Sequence, residues 1–285
     1  SSEAMTGSAH TWFQTSDGSR LAVWDEPGPR RPEILLVHGL ASNARLWDAV
    51  VMHLNASGHG TMQVDLRGHG MSDKPDSGYD FATMTSDLAA LISARMQPPV
   101  MAVGQSFGGN LVIELATRSP ELVSSLVCID GGFIDLAQRF ETWEATMTAL
   151  TPPPLRHLSA ASLVEAATEL YSGWQPEAIA AQLANLEEAE DGSIRRRLSL
   201  AHHLSILRAM FDQSPLAIAE QFEQPVLVIA AEDDTPGKKD QVSAFKKRLA
   251  NGREVWLQGH HDLHAEQPAA VVELIERALA EGFLR

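Results

Sequence analysis

The chain holds one cysteine, so an internal disulfide is impossible. That residue, Cys128, sits in the apolar run Leu126 to Ile129, where a free thiol behaves as a small buried hydrophobe rather than a reactive group. An inert thiol and a reducing, cytoplasmic setting are expected. No uninterrupted apolar stretch approaches the roughly 20 residues that span a bilayer, and no basic segment followed by an apolar core opens the sequence; a soluble protein without a membrane partner is expected. Positive charge is scarce too. With 22 Lys and Arg against 37 Asp and Glu, the net charge is −15, a field that repels nucleic acid phosphates and anionic lipid. Internal repeats, low-complexity segments, a G-x-G-x-x-G fingerprint and a nucleotide-binding P-loop are all absent. Ser1 to His10 is small, polar and without periodicity, and reads as a mobile tail.

Apolar residues make up 44% of the 285 positions and charged ones 21%, enough to bury a sizeable core. Thr11 to Thr15 and Arg20 to Asp25 flank a turn cluster, Ser16 to Ser19, and predict a hairpin. Ile34 to Val37, Met62 to Val64, Val100 to Val103, Leu126 to Ile129 and Val226 to Ala230 are short apolar runs suited to strands buried on both faces. Between them Ala44 to Leu54, Phe81 to Met96 and Asn110 to Arg118 carry helical spacing. This alternation predicts a mostly parallel, twisted α/β sheet flanked by helices. It stops after Ile129 and resumes at Pro225. Residues 135–222 show only helix-like patterns, broken at Pro152 to Pro154, at Gly173 and Trp174, and at Asp191 and Gly192. The expected organisation is a core of 11–134 and 223–285 carrying an inserted helical cap over 135–222. Gln241 to Leu249, Glu254 to Leu257 and Ala269 to Leu279 then read as helix, strand and helix.

Gly104, Gln105, Ser106, Phe107 and Gly108 form a G-x-S-x-G pentapeptide between the run Val100 to Val103 and the helix-like stretch from Asn110. Such a strand-to-helix turn strains its central residue and lifts the serine oxygen above the sheet. The unpaired N–H groups and dipole of the helix start favour negative charge there. Acid and histidine candidates follow in the order Ser, Asp, His, which points to nucleophilic catalysis by Ser106 rather than to an ordinary βα turn.

A serine hydroxyl is a weak nucleophile and needs a base, oriented in turn by a carboxylate. Base candidates lie just past the last strand, where His260, His261 and His264 compete; His261 is preferred, with His260 not separable by the local sequence. For the acid, Asp234 lies beyond Val226 to Ala230, with Asp233 beside it, and Asp130 ends the run Leu126 to Ile129. Strand ends are where ligand chemistry collects in open parallel sheets. A metal site built from His260, His261, Asp262 and His264 is disfavoured, because adjacent histidines point apart and neither H-E-x-x-H nor a cysteine partner is present. No metal or cofactor is expected.

The backbone N–H of Phe107 is one expected oxyanion donor, and the N–H of Leu40, following the turn at His38 and Gly39, is the other. His38 itself reads as a loop brace. The glycine-rich loop Asp65 to Asp73 reads as scaffold rather than a phosphate cradle. Trp47, Phe133, Trp143, Met147, Trp174 and Met210 are candidates to line an apolar substrate pocket, although most aromatic residues of the cap should be core.

Together the serine elbow, the His38 and Gly39 turn, the loop Asp65 to Asp73 and the run His261 to Pro268 resemble the α/β-hydrolase superfamily over nearly the entire chain. The resemblance implies a Ser106, His261 and Asp234 triad. Glu266 and Pro268 match the ending of the family's histidine segment, although His260 stands where glycine is usual. Ala231 followed three positions later by Asp234 matches its acid motif. Serine at the nucleophile position separates the chain from the dehalogenase and epoxide-hydrolase branches, which resemble each other in using aspartate. A carboxylesterase or lactonase acting on a small to medium apolar ester is then expected. The alternatives are a carbon–carbon bond hydrolase acting on a diketone and a ligand receptor on a hydrolase scaffold.

Overall fold

The computed structural model describes residues 10–25, 31–155 and 158–285. Ser1 to Ala9, most of the expected tail, therefore lies outside the described residues, while His10 sets its ring edge-on against Trp12 at 4.9 Å. In chain order, β1 (Thr11–Gln14) and β2 (Arg20–Asp25) lead to β3 (Ile34–Val37), α1 (Asp48–Ala56), β4 (Thr61–Val64), α2 (Phe81–Arg95), β5 (Val100–Gln105), α3 (Phe107–Arg118) and β6 (Val123–Ile129). The inserted segment follows, with α4 (Leu136–Phe140), α5 (Trp143–Leu150), α6 (Ala160–Leu170), α7 (Pro176–Leu183), β7 (Leu186–Glu188), β8 (Ile194–Arg196), α8 (Leu200–Asp212) and α9 (Pro215–Ala219). The chain closes with β9 (Val226–Glu232), α10 (Lys238–Arg248), β10 (Gly252–Gln258), α11 (Leu263–Glu266) and α12 (Pro268–Ala280).

Among the described residues one sheet of eight strands runs in the order β1-β2-β4-β3-β5-β6-β9-β10. Every pairing from β4 to β10 is parallel, and β2 joins β1 and β4 antiparallel. The two-residue period of a strand sends alternate side chains into two separate cores. Val226, Val228 and Ala230 of β9 join Leu126 and Cys128 of β6 in the core beneath α2, α3 and α10. Leu227, Ile229 and Ala231 face the opposite core, under α1 and α12, with Val127 and Ile129. Burial of Cys128 in the first core pushes its thiol up to about 12, so it stays protonated.

The helices of the insertion are locally specified. Thr142, Ser159, Ser199 and Ser214 each accept a hydrogen bond from the backbone N–H three residues on, closing the first turns of α5, α6, α8 and α9. The expectation of an all-helical insertion is corrected at one place. β7 and β8 pair antiparallel; Asp191 Oδ1 accepts from Ser193 N at 2.9 Å and Gly192 takes φ 81°. An Asp-Gly turn of this kind supplies the positive φ that a tight hairpin needs, so Asp191 and Gly192 reverse a pair of strands rather than separating helices.

Parallel pairing places the carboxyl ends of β5, β6, β9 and β10 side by side on one edge. Ser106 follows β5, Asp130 follows β6, Asp233 and Asp234 follow β9, and His261 follows β10. Ser106 N donates to Ile129 O at 2.9 Å and Asp130 N donates to Ile229 O at 2.7 Å, stepping the chemistry-bearing residues across the sheet.

Candidate active site

Ser106 sits at φ 56° between strand and helix, the strained geometry expected of the elbow. Two glycines make that turn possible. A Cβ at Gly104 would collide with the Gly108 carbonyl, and one at Gly108 with the carbonyls of Val37 and His38. Ser106 occupies the N-cap position of α3 but makes no side-chain cap, which leaves its hydroxyl available. Ser106 Oγ lies 2.7 Å from His261 Nε2, and His261 Nδ1 lies 2.6 Å from Asp130 Oδ2. With Nδ1–H donating to the carboxylate, Nε2 is the acceptor of the serine proton, the tautomer that a general base requires.

The acid in this row is Asp130, and the expectation of Asp234 is corrected. Ile129 pairs with Ile229, whereas β9 continues three residues further, to Glu232 opposite Gln258. β6 therefore ends level with the serine turn and delivers Asp130 at once. Asp234 lies beyond the end of the longer strand and is exposed. Asp233, the other candidate on β9, is engaged by Lys238, whose Nζ is 2.6 Å from its Oδ2. Asp130 adopts φ 44°, a left-handed conformation that costs a non-glycine residue about 1–2 kcal/mol. Its carboxylate is 1% exposed and also accepts from Ala231 N at 3.0 Å and from Lys238 Nζ at 2.9 Å. Burial favours the protonated acid, but the His261 bond, the Ala231 amide and the Lys238 charge outweigh it and hold Asp130 below its ordinary value. Burial likewise opposes the His261 imidazolium, yet the Asp130 bond and charge prevail and raise His261 above its ordinary value.

The other histidines have distinct fates. The His260 side chain is 87% exposed, and its backbone N–H donates to Glu266 Oε2 at 2.7 Å. The carbonyl of His261 accepts from Gln105 Nε2 at 3.0 Å, so Glu266 and Gln105 together brace the turn that presents the imidazole. His264 is fully buried against Trp47, ring centroids 4.5 Å apart. His38 acts as a brace: Nδ1 donates to Gly39 O at 2.7 Å and Nε2 accepts from Leu66 N at 3.0 Å. The loop after β4 is scaffold, since Asp65 ties Ala44 N to Met71 N and Arg67 grips Asp87 with two nitrogens. Among the described residues no group of three His, Cys, Asp or Glu is placed to hold a metal ion.

A cavity of about 330 Å³ opens over Ser106, within the range of small-molecule sites. Leu40 and Phe107, the expected oxyanion donors, line it, as do Phe133 and Met210. The remaining pocket candidates do not. Trp47 is fully buried beside His264, Trp174 packs on Tyr171 at 4.4 Å, Trp143 meets Phe211 edge-on at 5.9 Å, and Met147 is half-buried on α5. Their places are taken by Leu150 and Leu207 from the insertion and by polar residues unforeseen in the sequence, Arg139, Thr235, Lys238 and Gln241. A site signal for Lys238 was present in the sequence only as a lysine four residues past Asp234.

A family model described as the alpha/beta hydrolase family matches residues 34–274. The chain belongs to that family. The chain is 36% identical over 99 residues to 2-(acetamidomethylene)succinate hydrolase of Mesorhizobium japonicum, 35% of either chain. It is 35% identical over 104 residues to Esterase Rv0045c of Mycobacterium tuberculosis, covering 36% of this chain and 34% of that protein. The match therefore spans about a third of these relatives' length. Among solved structures, that of E-2-(acetamidomethylene)succinate hydrolase superposes on this chain with a TM-score of 0.78 at 22% identity, over 95% of this chain and all of the other. That likeness is one of fold. Among the described residues no helix is long and apolar enough to cross a membrane.

Proposed function

We propose that the chain is a serine hydrolase that cleaves small to medium esters, of carboxylesterase or lactonase type, through an acyl-enzyme. The observation that carries this reading is the hydrogen-bonded row from Ser106 through His261 to Asp130, opening into the cavity beneath the inserted cap. Ser106 attacks the carbonyl as His261 takes its proton, and Asp130 stabilises the imidazolium. The backbone N–H groups of Phe107 and Leu40 receive the oxyanion. His261 then protonates the leaving oxygen and activates water to release the acyl group. No step calls on a cofactor.

The mostly apolar wall, with Phe133, Leu207 and Met210, favours an apolar acyl group. One observation favours a second reading. Arg139 also lines the cavity, and among the described residues its guanidinium has no carboxylate partner, standing over Phe140 at 5.0 Å. An acyl group bearing a carboxylate would pair with it, and a relative named 2-(acetamidomethylene)succinate hydrolase is consistent with such a substrate.

The test is a panel of p-nitrophenyl esters of matched length, neutral and carboxylate-terminated, together with lactones and diketones. Steady multiple turnover of neutral short esters supports the apolar-ester reading. Preference for the carboxylated esters, lost in Arg139→Gln, transfers support to the second. Turnover of the diketones alone would favour carbon–carbon hydrolysis, and a single burst without turnover would favour a receptor.

A further inference from the structure

Lys238 is the first residue of α10, yet its side chain is only 6% exposed. Its Nζ lies 2.9 and 3.2 Å from the two oxygens of Asp130, 2.6 Å from Asp233 Oδ2 and 3.2 Å from the Ala231 carbonyl. All the partners are acceptors, which suits an ammonium with three protons. The cost of burying such a charge is repaid only by close, well-directed acceptors, and here two carboxylates provide them. The arrangement joins the strand end that provides Asp130 to the strand end that provides Asp233.

We propose that Lys238 is a positioning residue of the triad: its ammonium, clamped between Asp130 and Asp233, holds the Asp130 carboxylate against His261 and keeps the two acids compatible in one buried site. The proposal rests on the assignment of His261 as base. Without the cation, Asp130 and Asp233 would face each other as bare carboxylates, a repulsion that works against the tight His261 bond. With it, Asp130 Oδ1 is tied to Lys238 and Ala231 N while Oδ2 points to His261. The donors also explain how Asp130 retains its left-handed backbone, since strain of this kind persists where the surroundings over-determine it. Other charged or titratable groups face the row as well. Asp262 and Glu266 approach from the histidine turn, His264 lies behind His261, and Arg139 and His203 line the cavity from the insertion. None of these makes a hydrogen bond to Asp130, so the clamp belongs to Lys238.

The test follows the His261 imidazole by NMR in histidine-labelled protein, assigned with His261→Gln, alongside the pH profile of kcat/KM for an ester. Lys238→Met keeps much of the stem and removes the charge. Loss of the nearby positive charge raises the imidazole midpoint and loosening of the Asp130 bond lowers it, so the readout of the clamp is the His261 Nδ1–H resonance, which should move upfield as that bond lengthens, with kcat falling more than KM rises. Asp233→Asn removes an anion and should move the midpoint down. The double variant should return it toward the starting value, because both charges leave together. An unmoved Nδ1–H resonance in Lys238→Met overturns the proposal. Thermal unfolding of each variant identifies any that fails to fold; Asp233→Asn then carries the test alone, and an unmoved or raised midpoint in it overturns the proposal. The imidazole titration needs no substrate, so failure of the ester reading in the kinetic arm is distinguishable from failure of the clamp.

Discussion

The Asp130 carboxylate accepts from His261 Nδ1 at 2.6 Å from the end of β6, next to the strand that carries Ser106, while Asp234 stands exposed beyond β9. The proposed nucleophile and acid thus come from neighbouring strands, and the histidine reaches in from the sheet edge. Asp130→Asn should lower kcat by about three to four orders of magnitude, because an amide at Oδ2 favours the wrong imidazole tautomer. Asp234→Asn should leave it essentially unchanged. Steady-state kinetics on the pair checks the assignment; the reverse ranking would move the acid back to β9.

Ser106→Ala should cut turnover by about four to six orders of magnitude. Its melting temperature should hold or rise, since the side chain makes no helix cap. Kinetics and thermal unfolding on one preparation check both halves.

The base must be neutral to accept the serine proton, and His261 sits above its ordinary value of about 6.5 because the Asp130 bond and charge outweigh the effect of burial. Activity is therefore lost as pH falls through that raised value, and the acid limb of kcat/KM should have its midpoint above 6.5. His260→Ala should leave that limb in place, since the His260 side chain is 87% exposed. A pH–rate profile of both proteins reads this directly.

Stability should fall on acidification for a different reason. Burial lowers His38 and His203 to about 4 and His264 to about 3, so between about pH 6.5 and 4 the unfolded chain binds protons at these sites that the folded chain refuses. Asp65, raised by burial to about 6, and His261, raised by Asp130, act in the opposite sense, because there the folded state holds the extra proton. Burial also lowers His69 and His202, so five histidines refuse protons in the folded chain, against His261 and the raised carboxyls of Asp48, Asp65, Asp87 and Asp262, of which Asp65 alone is pushed to about 6; the melting temperature should decline from pH 7 to pH 4.5. Replacing His264 with Phe should shallow that decline, as scanning calorimetry at several pH values would show.

Much of this was legible in the chain because it is written in local patterns. The buried strands are runs of apolar residues, and Ser106 announces itself through two glycines whose absent side chains let backbone meet backbone. His261 was recoverable through Glu266, and the structure supplies a physical reason: Glu266 accepts from His260 N and braces the turn. The choice of acid was not legible. It depends on where β6 and β9 end relative to each other, on a positive φ at Asp130 and on a lysine that claims Asp233, none of which local sequence encodes. Pocket lining was legible at two of the six named positions, Phe133 and Met210, for a similar reason: composition says which residues are apolar but not how each helix is rotated. Trp143 and Trp174 accordingly turned to aromatic neighbours, Phe211 and Tyr171, while Leu150 and Leu207 reached the cavity. The hairpin at Asp191 and Gly192 was signalled by its turn residues and hidden by its shortness.

The central claim is that Ser106 forms a covalent bond with its substrate. Incubating the protein with a fluorophosphonate and locating the adduct by peptide mass spectrometry tests it most directly. One adduct is expected, on Ser106, formed faster as pH rises through the His261 midpoint and absent from Ser106→Ala. An unlabelled Ser106, or labelling that persists undiminished in Ser106→Ala, would contradict it.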